Sequence, residues 1–402
     1  MTLTLRTLTA DELAPFQRVV NSAFLLDSAE DRLERWRGLF EPERHRGVFD
    51  GDELIGGGGI QTRDITLPGA GPHPVAAVTG VAVLPGHRRR GVLTRVMRAQ
   101  LHGLHEEGRE AIAALWASEA AIYPRFGYGL AAEFTRLEIP RGARFHPGAS
   151  VGEDRVREVP REEAMPFARA VYEDVRPGRT GWLSRTDAAW DHQFADAEHD
   201  RDGLTAYRFA LHPEGYAVYR VKPDWQERGP RNELHLREIA ARTDEAYAAL
   251  YRYLLDLDMV GELKSYTAAD DPVVHLLEDS RLALRGRSDS LWVRVVDVDR
   301  ALAQRRYGSD VDVVLEVADG FCPWNAGRWR FAVKDGVATV QRVDDAPDVV
   351  LDVQALGAAY LGGTKLTTLA RAQRVSEVTE GALKALSHAF SGDREPHCPE
   401  VF

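Results

Sequence analysis

His87, Arg88, Arg89 and Arg90 stand in a row and are followed by a single glycine, Gly91. Arginines are planar, fork-shaped donors that stay charged at any working pH. An apolar, strand-like run from Val75 to Leu84 ends at Pro85 just before them, and a helical pattern opens at Gly91. The start of a helix carries unpaired N–H groups and the positive end of its dipole. A glycine at that point lets the backbone come close to a ligand. Together these features make a seat for phosphate. The loop is not a Walker loop, because no Gly-Lys-Ser or Gly-Lys-Thr follows, nor a Rossmann fingerprint, because only Gly91 is placed correctly.

Other chemistry-bearing groups are weaker. His102 and His105 have metal-ligand spacing on the helix after the loop, but no third ligand motif accompanies them, so they read as surface or packing histidines and no metal site is expected. Gly56 to Gly59 precede a strand rather than a helix, which points to bulging or close packing rather than a phosphate cradle. Asp270-Asp271 and Asp344-Asp345 are acidic turns too short for a calcium loop. Cys322 and Cys398 read as two reduced thiols of a cytosolic protein.

The elements that must position the arginine loop alternate between strand and helix over residues 1–140. Leu3 to Arg6 reads as a strand, and Thr9 to Phe24 as a helix with Thr9 and Glu12 forming a capping box. Asp31 to Phe40 is a second helix, and Asp50-Gly51 is the turn of a hairpin. Ile60 to Leu67 alternates as a strand. Beyond the loop, Leu93, Val96, Met97, Leu101 and Leu104 share one face of a helix from Gly91 to Glu107. A strand at Ala111 to Ala117 and a helix at Ser118 to Arg125 complete the unit. Residues 150–290 repeat the rhythm: strand Glu233 to Ala240, a helix carrying Tyr247, Leu250, Tyr251 and Leu254, then strand Glu262 to Thr267. Ala241-Arg242-Thr243-Asp244-Glu245 stands in place of the arginine–glycine loop, so this is a duplicated fold whose second copy lacks the site. Residues 291–402 run from strands, starting at Leu291 to Val295, to helices, ending with Glu377 to Phe390, an α+β pattern.

A chain of 402 residues is too long for one core. The net charge of −11 argues against nucleic acid as a partner and suits a cationic substrate. No apolar run reaches membrane-spanning length, and Met1 to Thr4 is no secretory signal, so a cytoplasmic protein without a membrane partner is expected.

The order strand, Arg88-Arg89-Arg90-Gly91-Val92-Leu93, helix resembles the Gcn5-related N-acetyltransferase (GNAT) superfamily, with Leu93 where a small residue is preferred. The stretches "HRRRGVLTRVM", "ASEAAIYPRFGYG", "HPEGYAVYRV", "HLLEDSRLA", "LWVRVVDV" and "LGAAYLGG" together resemble the Eis (enhanced intracellular survival) family over nearly the whole chain. The resemblance implies a mixed α+β fold: an acetyl-coenzyme A-binding GNAT domain over 1–145, a degenerate second copy over 146–290, and a sterol-carrier-like domain over 291–402. It implies backbone contacts to pantetheine from Val81, Ala82 and Val83. Arg88, Arg89, Gly91 and Val92 would contact the diphosphate, with Arg90 as a further candidate. Tyr123 matches the family's general acid, with Tyr128 as its neighbouring rival, and the α-carboxylate of Phe402 matches the family's base. Phe24, Trp36, Ser118 and Glu400 are candidates for the acceptor pocket, while Trp116 and Val401 replace residues found in some relatives. The implied function is acetylation of polycationic small molecules such as aminoglycosides by a homohexamer. Acetylation of protein lysine and a lipid-binding scaffold are the alternatives.

Overall fold

A computed structural model describes residues 3–27 and 30–402 of the chain. The first sheet begins with β1 (Leu3–Thr7), β2 (Arg46–Asp50), β3 (Glu53–Leu67) and β4 (Gly71–Val83), each antiparallel to the one before. β5 (Ile112–Trp116) runs parallel to β4. The sheet does not end there. Leu291–Val295 pairs antiparallel with β5 along its full length and then with β6 (Gly129–Leu130). This strand, expected to open the third domain, therefore belongs to the first sheet, between β5 and β6.

Two helices pack on that sheet, α1 (Leu13–Phe24) and α3 (Val92–Glu107), while α2 (Glu30–Arg37) lies against α1 and against the helix Asp187–Gln193 of the second domain. Of the apolar face read for α3, Val96, Met97, Leu101 and Leu104 are buried, and Leu93 is half-buried. Val92, Val96, Met97, Leu101 and Leu104 pack with Val48, Ile55, Val78, Ala113 and Leu115. Each such side chain stabilises the fold by ~1.5–3 kcal/mol relative to exposure. Gly56 to Gly59 lie buried in β3, and a Cβ on Gly59 would sit inside the ring of His45, so the glycine run serves close packing. The expected helix over Ser118 to Arg125 is instead a series of turns ending in a short 3₁₀ turn, Tyr123–Phe126. Pro124, which lacks an N–H, disfavours a longer helix there.

The second sheet also has seven strands, in the order Leu284–Asp289, β7 (Glu133–Pro140), Val260–Thr267, Asn232–Ala241, Gly215–Lys222, Arg208–His212 and Arg157–Val159. β7 follows β6 directly in the chain yet belongs to this second sheet. The chain thus changes sheet between Leu130 and Glu133, ahead of the division expected after residue 145, and changes back between Asp289 and Leu291, at the division expected after residue 290. The first sheet meets the second domain where Ile65 of β3 bridges to Leu183 and Ser184 exchanges hydrogen bonds with Asp64.

The third region builds a five-stranded sheet, ordered Val337–Arg342, Gly327–Lys334, Val311–Ala318, Val349–Asp352 and Val375–Glu377. Glu377, expected to start the last helix, ends this last strand, and the helix runs over Ala382–Phe390. One apolar core joins this region to the first sheet: Ile65, Val75, Ala114 and Val293 share it with Leu315, Phe331, Leu356 and Phe390. Among the described residues, no helix is long and apolar enough to cross a membrane.

Candidate active site

β4 and β5 pair only at Ala76↔Ala113 and Ala77↔Ala114. Beyond Ala77 they splay apart. β3 shifts register between Gly57 and Gly59, opposite Gly80, whose φ of +60° only glycine adopts readily. The bulge bends β4 away from its parallel neighbour. Val83 and Ala82 keep their pairing with Gly56 and Gly57 of β3, while their other edge faces a cavity of about 500 Å³.

That cavity gathers most of the residues singled out in the sequence. Val81, Ala82 and Val83 form one wall, Arg88, Arg89, Gly91 and Val92 line the loop side, and Ser118 and Tyr123 face it from the segment after β5. Phe24 lies at its lip, 42% exposed. Gly91 caps α3 at φ +77°, and a Cβ there would meet only open space. Arg89 is also left-handed, at φ +62°, a strained conformation for a side chain of this kind.

The three arginines are not equivalent. Arg90 donates to Asp50 at 2.8 Å and contacts His87 at 2.7 Å, which ties the loop to β2. Arg88 and Arg89 are exposed and have no ion-pair partner among the described residues. Two unpaired guanidinium groups beside a helix N-terminus are complementary to a diphosphate.

Tyr123 is buried against the cavity, and burial, aided by the nearby Glu119 carboxylate, raises its phenol to about 12. It therefore stays protonated and can donate. Tyr128 packs edge-to-face against it, and its hydroxyl is sealed in the core without a hydrogen-bond partner among the described residues. Sequence reading missed Glu119 and Ile122, which line the cavity together with Leu93. Turn residues beyond a strand end carry no periodicity that would flag them.

The remaining candidates lie outside the cavity lining. Trp36 on α2 stands against Gly80 and edge-on to His192 of the second sheet's domain, at the seam beside the cavity. Phe402 packs half-buried on the core that also holds Trp116. Glu400, expected at the acceptor pocket, lies buried. Both its oxygens are engaged in the interior, by Arg63 and by Arg185.

A larger cavity, about 690 Å³, occupies the matching place in the second copy. There the parallel pairing stops at Leu236↔Ser265 and the following helix starts at Asp244. Its loop holds no diphosphate seat. Arg242 is paired with Asp174 at 2.6 Å, Thr243 gives its oxygen to the N–H of Ala246, and Asp244 and Glu245 place negative charge in the first turn. His102 and His105 pack on Trp324. Among the described residues, one group, Asp31, His199 and Asp200, brings ligating atoms together, and Arg32 and Arg35 already hold both oxygens of Asp200.

Comparison with known proteins agrees with this geometry. Models of the acetyltransferase (GNAT) domain match residues 4–131 and 181–295, and a sterol carrier protein domain model matches 298–399. An uncharacterized N-acetyltransferase of Streptomyces avermitilis is 39% identical, with all of both chains covered. N-acetyltransferase Eis of Mycobacterium tuberculosis is 35% identical over 98% of each chain. The crystal structure of Eis1 from Mycobacterium abscessus superposes with a TM-score of 0.88 at 35% identity, covering 99% of this chain and 100% of that one. The chain belongs to the Eis family of GNAT N-acetyltransferases, with two GNAT domains and a sterol-carrier-like C-terminal domain.

Proposed function

We propose that the enzyme moves the acetyl group of acetyl-coenzyme A to an amine of a polycationic small molecule, with aminoglycosides as the acceptor class. The observation that carries this reading is the single cavity gathering Arg88, Arg89 and the start of α3 with Val81 to Val83 and the protonated Tyr123. When bound, acetyl-coenzyme A supplies the activated acetyl group and a thiolate leaving group. Arg88 and Arg89, with the amides of Gly91 and Val92, hold the diphosphate. The unpaired edge of Val81, Ala82 and Val83 meets the pantetheine arm, and an N–H there stabilises developing negative charge on oxygen. Tyr123 gives its proton to the departing sulfur.

Aliphatic amines are mostly protonated at neutral pH, so a base is needed. The α-carboxylate of Phe402 takes that role in this reading. Its ordinary pKa of about 3.5 makes it a weak base, so it works by burial or by relaying the proton while orienting the amine. Phe24, Trp36 and Ser118 bound the acceptor region. Glu119 replaces Glu400 as the carboxylate available there. The same reading takes the enzyme as a cytoplasmic homohexamer, which sedimentation would check. A coenzyme A release assay with aminoglycosides and lysine peptides tests the acceptor class. Turnover of aminoglycosides is expected, and turnover of peptides alone would replace that class with protein lysine.

A further inference from the structure

Glu400 stands two residues from the chain end yet is 4% exposed. A carboxylate buried this deeply needs charged partners. One oxygen accepts from Nη2 of Arg63 and the other from Nε of Arg185 at 2.8 Å. Arg185 uses its other two nitrogens on Glu238, at 3.1 and 2.6 Å, and Tyr216 donates to the same carboxylate at 2.6 Å. The Arg185 guanidinium also lies over the rings of Tyr172 and Trp190, 4.0 and 4.6 Å from their centroids. Two cations face two carboxylates, so the cluster is balanced. Arg63 belongs to β3 of the first sheet, whereas Arg185, Tyr216 and Glu238 belong to the second domain. The same domain holds the tail just upstream. His397 N–H donates to Thr180 at 3.0 Å, and Gln193 donates to the carbonyl of Pro399 at 3.3 Å.

We propose that Glu400 is a positioning residue for the α-carboxylate of Phe402, and that the second domain contributes to acetyl transfer by supplying this socket. The inference rests on Phe402 acting as proton acceptor. Two residues span at most about 7 Å, so fixing Glu400 confines the terminal carboxylate to a short arc beside β3. A chain end without such an anchor frays. Charge matters as well as place. Besides Arg63 and Arg185, the groups around Glu400 are Glu238, His192, Tyr172 and Cys398, whose thiol donates to the Glu400 carbonyl at 3.2 Å. Neutralising Glu400 leaves a net positive cluster next to the chain end, and positive charge lowers a carboxylate's pKa. A purely structural part would not move that pKa.

The test uses the full-length enzyme with acetyl-coenzyme A and the acceptor that the assay above turns over. Glu400→Gln is expected to lower kcat at least tenfold, leave KM for acetyl-coenzyme A within twofold, and move the acid limb of the kcat/KM profile to lower pH. Glu400→Asp keeps the charge but retracts it by one methylene, so kcat falls while the acid limb stays in place. If Glu400→Gln does not fold, Glu400→Asp decides, and wild-type kcat in it overturns the proposal. A one-glycine extension after Phe402 separates the two ideas. Impaired turnover in the extended enzyme with wild-type kcat and pH profile in Glu400→Gln overturns the positioning role alone. Full activity of the extended enzyme removes the base reading and this inference together.

Discussion

Tyr123 lines the cofactor cavity, whereas Tyr128, its ring centroid 5.9 Å away and turned by 74°, is sealed in the core. Of the two, Tyr123 faces the cavity. Tyr123→Phe is expected to lower kcat by ~10²-fold, the scale of general-acid catalysis, with little change in acetyl-coenzyme A binding. Because its phenol is raised to about 12, steady-state rates should show no alkaline limb from Tyr123 until that range is approached. Tyr128→Phe removes a buried hydroxyl that has no hydrogen-bond partner among the described residues, so thermal denaturation should show equal or higher stability with unchanged kcat.

Arg88→Ala and Arg89→Ala should each weaken coenzyme A binding by about tenfold, the scale of one charge-assisted hydrogen bond. Titration calorimetry at two salt concentrations checks this, since the wild-type advantage should shrink as salt screens exposed charge. Arg90→Ala should weaken binding less. Its partner is Asp50, and a partly exposed pair of that kind contributes under about 1 kcal/mol to stability.

Gly91→Ala isolates the backbone contribution of the loop. Nothing blocks the new methyl group, so its effect comes from the left-handed φ of +77° alone. Denaturant unfolding should report a loss of ~1–2 kcal/mol, or a looser loop with reduced coenzyme A affinity if the backbone relaxes.

His397 gives the tail a defined pH window. Burial, followed by the Arg179 charge, lowers its pKa from 6.5 to about 4. As pH falls, the unfolded chain takes up the proton before the folded one does. The stabilisation is therefore complete above 6.5 and is lost as pH drops toward about 4. The melting temperature should fall through that interval, and His397→Gln should flatten this part of the curve.

Much of this molecule was legible because its cues are local. The face of α3 follows from apolar spacing at 3.6 residues, and its start from Gly91. The second copy's missing loop could be read from Arg242 to Glu245 alone, though the pairing of Arg242 with Asp174 could not. Long-range choices left no mark in the sequence. Leu291–Val295 has the same alternation whether it opens a new sheet or completes an old one. Glu400 shows the same limit from the side of chemistry. A carboxylate near a chain end reads as solvated, and only Arg63 and Arg185, over 200 residues away, make it an interior group. Ser118 to Arg125 reads as a helix in the sequence, whereas in the fold it forms turns ahead of Pro124, along the cavity wall.

The strand at Leu291–Val295 has a consequence for how the enzyme is made. β5 holds β4 at only two positions, so its main support is a segment encoded nearly 180 residues later. On the ribosome, the cofactor-binding half must wait with an open edge until the whole middle of the protein has emerged. An excised fragment ending near residue 145 would carry that bare edge permanently, inviting self-association rather than binding coenzyme A.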